Sequence, residues 1–434
     1  MIPAIFKFSS LSRRAVENIC LYLGFLIIYS LWLNSVPEKF ELFENWVDFY
    51  LPTLDREWKH LRYEFLSMRP NDSNQSINSP FWLYIIQLSL SIFGKSLFAY
   101  RLPDVLLTAF APVLMAELVR RFFRPDLAIP AAILVGAHQS VISFARTGGY
   151  IGPTLSLSLA IIVCGFSVAF ENNKKAWRPL AFLLFLVPFF YSTVRYYCLI
   201  GLIGIAWKFV ASKEFRKTHL VPLGATAGMM IALGLALTQG GSLDQALIFI
   251  SARGEQFLIT DQTVKEGFES DKIKAEHRLS SLMSEMIPQR IADLSQFYTT
   301  GRRFFNHRYV ATRFGSTWQT MQPYIFTFLG LGVLSCIVHS ITRQRYLILL
   351  AWSVWSWVPL LVTTGITPNR MLLGVPCDMF IMLLGACVPI DLINKVLPER
   401  ARLIPRLALL AAVVVYGYHS IRTYFADYIQ FPNL

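Results

Sequence analysis

The chain has 434 residues, of which 54% are hydrophobic and only 15% are charged, and its mean hydropathy is +0.47. Soluble domains carry about 25% charged residues, so this composition excludes a soluble globular protein. The net charge of +13 would suit a nucleic-acid partner in a soluble protein. In a membrane protein, however, Lys and Arg first reflect the excess of positive charge in cytoplasmic loops. The composition therefore predicts a multi-pass membrane protein with no nucleic-acid partner.

The first apolar run follows Lys7, Arg13 and Arg14. No small-residue cleavage site follows Leu33, so this run predicts a retained signal-anchor helix. Ten further apolar runs approach the roughly 20 residues that cross a bilayer as a helix, and none alternates with the period of two typical of a membrane β-strand. The predicted spans are 17–34, 102–119, 127–145, 151–170, 179–194, 196–211, 220–238, 323–341, 346–363, 371–391 and 405–420.

Short basic connections fall at every second junction between these spans. They lie at 120–124, 174–178, 208–217, 343–345 and 395–406. If the N-terminus is cytoplasmic, the positive-inside rule places all of these connections in the cytoplasm. The predicted fold class is thus an all-α bundle of about 11 transmembrane helices with its C-terminus outside.

The apolar segment 81–93 is too short for a typical span. Counting it as a crossing would move every later basic connection to the outer side, against the charge rule. We therefore predict a juxtamembrane helix within one extracytoplasmic loop, residues 35–101. A second long polar segment, 239–322, falls on the same side, and the whole chain, 1–434, is predicted to form a single transmembrane module.

The first outer loop carries carboxylates next to aromatic side chains. Helical spacing places Glu41, Glu44 and Asp48 on one stripe, beside Trp46 and Phe49. A carboxylate held against the membrane surface by aromatic residues is partly desolvated, which suits a general base. The alternative is a solvated acidic helix face. Asp48 and Glu44 are the candidate catalytic residues.

Arginines at the outer ends of spans form the second candidate group: Arg146, Arg195 and Arg370, with Tyr150 near the first of them. A positive side chain at this depth is costly, so it usually has a partner. Guanidinium groups bind phosphate oxygens in a bidentate manner, so these residues are candidates for binding a lipid phosphate. The alternative is that they extend to the membrane interface without a ligand.

Metal and nucleophile motifs are absent from the sequence. The six cysteines lie in apolar spans, and no HExxH motif, glycine-rich phosphate loop or GxSxG motif occurs. No metal ligands are therefore assigned. A divalent ion held by His60, His277 or His307 with a loop carboxylate is kept as an alternative.

The order of several short motifs resembles the membrane-integral GT-C glycosyltransferases, in the branch of the lipid A aminoarabinose transferases and protein O-mannosyltransferases. Residues 93–103 read FGKSLFAYRLP and match the F-G-x-x-x-x-A-x-R-L-P pattern of that branch. Ala145-Arg146-Thr147 continues the likeness, and Arg370 begins RMLLGVP, which is similar to R-Y-L-L-P-x-x-P. Each motif is degenerate, and their order carries the resemblance.

The resemblance implies a sugar donor carried on polyprenyl phosphate, inversion at the anomeric carbon, and a base in the first outer loop of an enzyme in a bacterial-type inner membrane. Asp48 is the best positional match to that base and Glu44 is second. The sequence departs from the family at Ile77-Asn78-Ser79-Pro80, where relatives carry charged residues or a histidine. A metal ligand and a phosphate-binding lysine are therefore not carried over.

Two other functions remain as alternatives. A transporter or flippase for a lipid-linked glycan would show inverted repeats and charges facing a central cavity, which the sequence does not display. An inactive scaffold subunit of a membrane complex would explain why residues 77–80 lack the charged residues or histidine that relatives carry there. The acceptor is predicted only as a lipid, a protein or a glycan.

Overall fold

Apolar runs form α-helices in the part of the chain that the structure describes, and no β-strand occurs there. The computed structural model describes residues 12–34, 80–146, 151–187, 190, 193–237, 318–356 and 372–425. The α-helices in chain order are α1 (Arg13–Ser30), α2 (Pro80–Phe93), α3 (Leu97–Thr108), α4 (Phe110–Phe122), α5 (Ala128–Gly136), α6 (Gln139–Ala145), α7 (Ile151–Glu171), α8 (Trp177–Leu186), α9 (Thr193–Ala211), α10 (Lys213–Leu237), α11 (Trp318–Ser340), α12 (Arg345–Trp355), α13 (Val375–Val396) and α14 (Leu403–Thr423). The predicted all-α membrane architecture is confirmed.

Several helices are long and apolar enough to cross a membrane. Among the described residues these are Leu97–Phe122, Ile151–Glu171, Leu372–Val396 and Glu399–Thr423. The predicted spans 179–194, 220–238 and 346–363 include residues outside the described part of the chain. The total of eleven crossings therefore stays a prediction.

The segment predicted as the span 127–145 is divided into two helices. α5 and α6 are bent by 61° relative to each other and count as one further span only if the bend is disregarded. α6 begins after His138, whose Nδ1 accepts a hydrogen bond from the backbone N–H of Ser140 at 3.2 Å. His138 therefore acts as an N-cap, because its side chain satisfies a backbone N–H group in the first turn of α6.

The short apolar helix predicted before Gly94 is present as α2. Trp82 and Ile86 are buried, and Ser89 Oγ donates to the carbonyl of Ala99 at 2.6 Å, which fixes α2 against α3. Its placement along the membrane surface stays a prediction.

Glycines allow two pairs of helices to approach closely. A Cβ on Gly332 of α11 would overlap the carbonyl oxygen of Ile381 in α13, and one on Gly385 of α13 would overlap that of Phe328 in α11. Gly165 of α7 faces the backbone of α9 in the same way. Because lipid tails are as apolar as the helices, small residues that permit close backbone contact are a main source of association in membranes.

Gly332→Ala is expected to destabilise the protein by about 1–3 kcal/mol, because α11 and α13 must separate to accommodate the methyl group. Gly330→Ala is the matched control on the same helix, since nothing lies within 4 Å of its Cβ position. Thermal unfolding of the detergent-solubilised protein measures both. Equal shifts for the two variants would contradict the close contact between α11 and α13.

Ion pairs between helices identify one end of the bundle, which we call the basic end. Three of them join helices there: Arg14 Nε with Glu117 Oε1 at 2.8 Å, Arg121 Nε with Glu171 Oε1 at 3.0 Å, and Arg124 Nη1 with Asp391 Oδ2 at 2.5 Å. These contacts bring the start of α1 to the ends of α4, α7 and α13. The opposite end of the bundle therefore holds the end of α1 and the starts of α3, α7 and α13.

A buried histidine joins α7, α8 and α10 near the basic end. Trp177 Nε1 donates to His219 Nδ1 at 2.8 Å, and His219 Nε2 lies 2.6 Å from Asn172 Oδ1. Asn172 has a left-handed backbone with φ of 52°, which asparagine tolerates better than most residues. His219 accepts a hydrogen bond at Nδ1 and donates one from Nε2. Only the neutral ring can do both, because the protonated ring donates from both nitrogens.

Acidification is expected to weaken this junction. Burial lowers the pKa of His219, and the positive charge of Lys174 lowers it further. The pKa of His219 is lower in the folded protein than in the unfolded chain. The stability that neutral His219 contributes is therefore complete above about pH 6.5, the pKa in the unfolded chain, and is lost as the pH falls through the pKa of the folded protein. The melting temperature should therefore fall more steeply below pH 6.5 in the wild type than in His219→Gln. His339→Gln, at an exposed site, is the control and should retain the wild-type slope.

Candidate active site

The opposite end of the bundle is organised around the last residues of α1. Arg146, which follows α6, donates from Nη1 to the carbonyls of Tyr29, at 2.9 Å, and Leu31. Its Nη2 donates to the carbonyl of Trp32 at 3.0 Å. The last carbonyls of a helix have no partner within the helix and carry partial negative charge. Arg146 therefore satisfies the end of α1 with hydrogen bonds and with charge.

The Arg146 side chain is fully buried under the end of α14. Its guanidinium carbon lies 5.2 Å from the centre of the Phe425 ring and 6.0 Å from that of Tyr424. The Trp32 ring lies 5.4 Å from Phe425 as well. Cation–π contacts and hydrogen bonds thus hold the same guanidinium group.

Other helices hold the same short segment. Arg101 Nη1 of α3 donates to the carbonyl of Leu33 at 2.8 Å, and the backbone N–H of Phe98 donates to Asn34 Oδ1 at 2.9 Å. Trp32 has φ of 49°, a left-handed conformation that is costly for a bulky residue and persists only where its surroundings fix it. The chain therefore leaves α1 in a defined conformation shortly before Glu44 and Asp48 in the sequence.

Further polar side chains are buried among α3, α6 and the start of α7. They include Asp104, Thr108, His138, Gln139, Ser140, Ser143 and Thr154. Asp104 is fully buried one turn after Arg101. Ionisable groups inside a membrane protein are expensive and usually functional, so this group belongs to the candidate site.

A second buried carboxylate lies in the first turn of α13. Asp378 Oδ1 accepts a hydrogen bond from Ser353 Oγ of α12 at 2.7 Å. Nearby, the Tyr197 hydroxyl of α9 donates to the carbonyl of Ser356 at 3.5 Å. These contacts bring the start of α9, the end of α12 and the start of α13 together at the opposite end of the bundle.

The structure places two of the predicted arginines at this end. Arg146 is described above, and Arg195 lies in the first turn of α9, with its side chain outside the described residues. Asp48, Glu44, Arg370 and Tyr150 also lie outside the described residues. Their roles stay predictions.

Sequence reasoning missed Arg101, Asp104 and Asp378 as candidate site residues. Each is an ionisable residue within an apolar run, and that signal was available in the sequence. Among the described residues, no group of three or more His, Cys, Asp or Glu side chains is arranged to hold a metal ion.

Comparisons with known proteins support this architecture. Residues 77–239 match the profile of the dolichyl-phosphate-mannose-protein mannosyltransferase family. The structure is similar to an oligosaccharyltransferase from Archaeoglobus fulgidus that is tethered to an acceptor peptide, with a TM-score of 0.53 and 13% sequence identity. The match covers 96% of this chain and 56% of that protein, so the chain spans little more than half of the oligosaccharyltransferase.

The chain resembles the GT-C membrane glycosyltransferases. ArnT from Cupriavidus metallidurans is also similar, in the apo state with a TM-score of 0.48 and 12% identity and in the form bound to undecaprenyl phosphate with a TM-score of 0.47 and 13% identity. Each match covers 94% of this chain and 76% of ArnT. No curated protein matches the chain at a significant level of sequence similarity.

The part that matches the mannosyltransferase family profile contains most of the candidate site. It runs from just before α2 to just after α10 and includes Arg101, Asp104, His138, Arg146 and Arg195. Asp48, Glu44 and Arg370 lie outside it. Assignment of the base therefore rests on the sequence motifs.

Proposed function

We propose that the protein is a GT-C glycosyltransferase that moves a sugar from a polyprenyl-phosphate donor to an acceptor hydroxyl at the extracytoplasmic face of a bacterial-type inner membrane. The match of residues 77–239 to a family named for dolichyl-phosphate-mannose carries the proposal, because that name specifies a sugar on a polyprenyl phosphate. The fold shared with an oligosaccharyltransferase supports the architecture.

In the proposed reaction, the Asp48 carboxylate takes the proton of the acceptor hydroxyl. The acceptor oxygen then forms a bond to the anomeric carbon while the bond from that carbon to the phosphate oxygen breaks, with inversion. The polyprenyl phosphate leaves with the electron pair. Proton removal by a placed base typically contributes 10²- to 10⁴-fold to such a step.

Negative charge develops on the leaving phosphate, and arginines placed near it would stabilise the transition state. The contacts of Arg146 with α1 support a positional role for that residue. We therefore assign the phosphate first to Arg195 and Arg370, with Tyr150 as a further candidate. The location of Arg195 at the same end of the bundle as the end of α1 supports this arrangement.

The charge distribution supports the proposed orientation. The connections that carry Arg120–Arg124 and Lys174–Arg178 lie at the basic end, which the positive-inside rule assigns to the cytoplasm. The candidate site lies at the opposite end, where it would meet donor and acceptor in the outer leaflet.

The test is transfer by the purified full-length chain in proteoliposomes, supplied with polyprenyl-phosphate mannose that carries an isotope in the sugar. We expect release of free polyprenyl phosphate in step with labelled acceptor. Glycan mass analysis of cells with and without the protein identifies that acceptor. Movement of the labelled lipid across the bilayer without cleavage would instead support the flippase alternative.

A further inference from the structure

Six exposed cations gather on one flank of the basic end, and we call them the basic patch: Lys174, Lys175, Arg178, Lys213, Arg216 and Lys217. Lys174 and Lys175 belong to the connection between α7 and α8, Arg178 lies in the first turn of α8, and the last three open α10. The junction of His219 with Asn172 and Trp177 holds these two stretches together. Phe215 stacks on His219 with ring centres 4.2 Å apart, which leaves Arg216 and Lys217 on the outer surface.

The basic patch differs from one neighbouring flank in how its charges are satisfied. On the flank formed by α1, α4 and α13, Arg14, Arg120 and Arg124 each pair with a carboxylate of another helix. None of the six patch cations forms an ion pair within the described part of the chain, and the one carboxylate among them, Glu214, is exposed. The flank therefore carries positive charge that the described protein does not neutralise.

Exposed apolar side chains begin directly beside these cations. Val210 is 83% exposed three residues before Lys213, and Val221 is 78% exposed four residues after Lys217. Phe182 is exposed one turn after Arg178. Large apolar residues on the outside of a membrane bundle contact lipid tails, which places the adjoining cations at the depth of the head groups.

We propose that the basic patch binds the head groups of anionic phospholipids in the leaflet at the basic end of the bundle. Unneutralised cations at head-group depth attract anionic lipid, and lysine and arginine side chains donate hydrogen bonds to phosphate oxygens. The rigid junction at His219 presents the two basic stretches together, so that one lipid phosphate can contact both. This inference stands apart from the proposed function, and its test needs no enzyme activity.

The test compares lipid binding by the full-length wild type with that by the triple variant Lys174→Gln/Arg178→Gln/Lys217→Gln. Native mass spectrometry counts bound phosphatidylglycerol and phosphatidylcholine during titration of each lipid. We expect the wild type to prefer phosphatidylglycerol and the variant to lose that preference, by roughly 5-fold for each cation removed. High salt should reduce the preference of the wild type.

The matched control is Lys395→Gln/Arg400→Gln/Arg406→Gln, which removes three exposed cations from the last turn of α13, the connection that follows it and the start of α14. It should keep more of the preference for phosphatidylglycerol than the patch variant does, because all six clustered cations of the basic patch remain. An equal loss in both triple variants would show a response to net charge and overturn the proposal, as would an unchanged preference in the patch variant. If inorganic phosphate competed for the patch as strongly as phosphatidylglycerol does, the patch would be a site for a soluble anion, and the lipid assignment would be overturned. Melting temperatures without added lipid verify that each variant is folded.

Discussion

Asp48→Asn is expected to lower sugar transfer by about 10²- to 10⁴-fold, the contribution of a placed general base. Asparagine has nearly the same size but cannot accept the proton of the acceptor hydroxyl at neutral pH. Because the donor is bound by other groups in the proposed mechanism, the KM for the lipid-linked sugar should change little while kcat falls. Initial rates in proteoliposomes at several donor concentrations separate the two constants.

Glu44→Gln is the matched control in the same loop, and it should retain most of the activity. If Asp48→Asn is active and Glu44→Gln is not, Glu44 is the base. If both variants transfer sugar at the wild-type rate, the base-assisted mechanism is wrong. Unfolding temperatures of both variants show whether a loss of rate comes from a loss of folded protein.

Arg146→Met is expected to destabilise the folded protein by about 3 kcal/mol or more, because hydrogen bonds from a charged group contribute about 1.5–3 kcal/mol each and three carbonyls at the end of α1 lose their donor. The loss should appear in thermal unfolding without any lipid phosphate present. Methionine keeps much of the side-chain volume, so the effect reports mainly on the lost donors and charge. Arg343→Met, at an exposed position, is the control and should change stability by less than about 0.5 kcal/mol.

Binding of undecaprenyl phosphate separates a positional role from phosphate binding. Arg195→Gln and Arg370→Gln should weaken that binding. An Arg146→Met protein that melts at the wild-type temperature but no longer binds the lipid phosphate would contradict the positional role and restore Arg146 as a phosphate ligand. Weaker sugar transfer by the Arg146→Met protein with unchanged affinity for undecaprenyl phosphate would support the positional role of Arg146.

The sequence predicted helices well where apolar runs were long. The spans predicted at 151–170 and 405–420 correspond to α7 and α14, because a helix is the way in which a continuous apolar run satisfies its own backbone in a membrane. The division of 127–145 at His138 was not predicted. A single polar residue in an apolar run gives little sign that it caps a new helix, since the hydrogen bond to Ser140 depends on local backbone geometry.

The candidate site was only partly predictable. The position of Arg146 at the end of an apolar run signalled that it needs a partner, and a phosphate was a reasonable expectation from its chemistry. The partners found in the fold are carbonyls of α1, more than 100 residues earlier in the chain. Periodicity and spacing describe neighbours along the chain, so they do not identify such a partner.

The sequence by itself determined that this is a helical membrane protein, which segments form helices and where positive charge concentrates, because each of these depends on local composition. Only the tertiary structure decided that Arg101 and Arg146 hold the end of α1, that Asp104 and Asp378 are buried, and that the cations of α1 and α4 are paired while those of the basic patch are not. These features arise where helices distant in sequence pack together, and burial and pairing of a charge are properties of that packing.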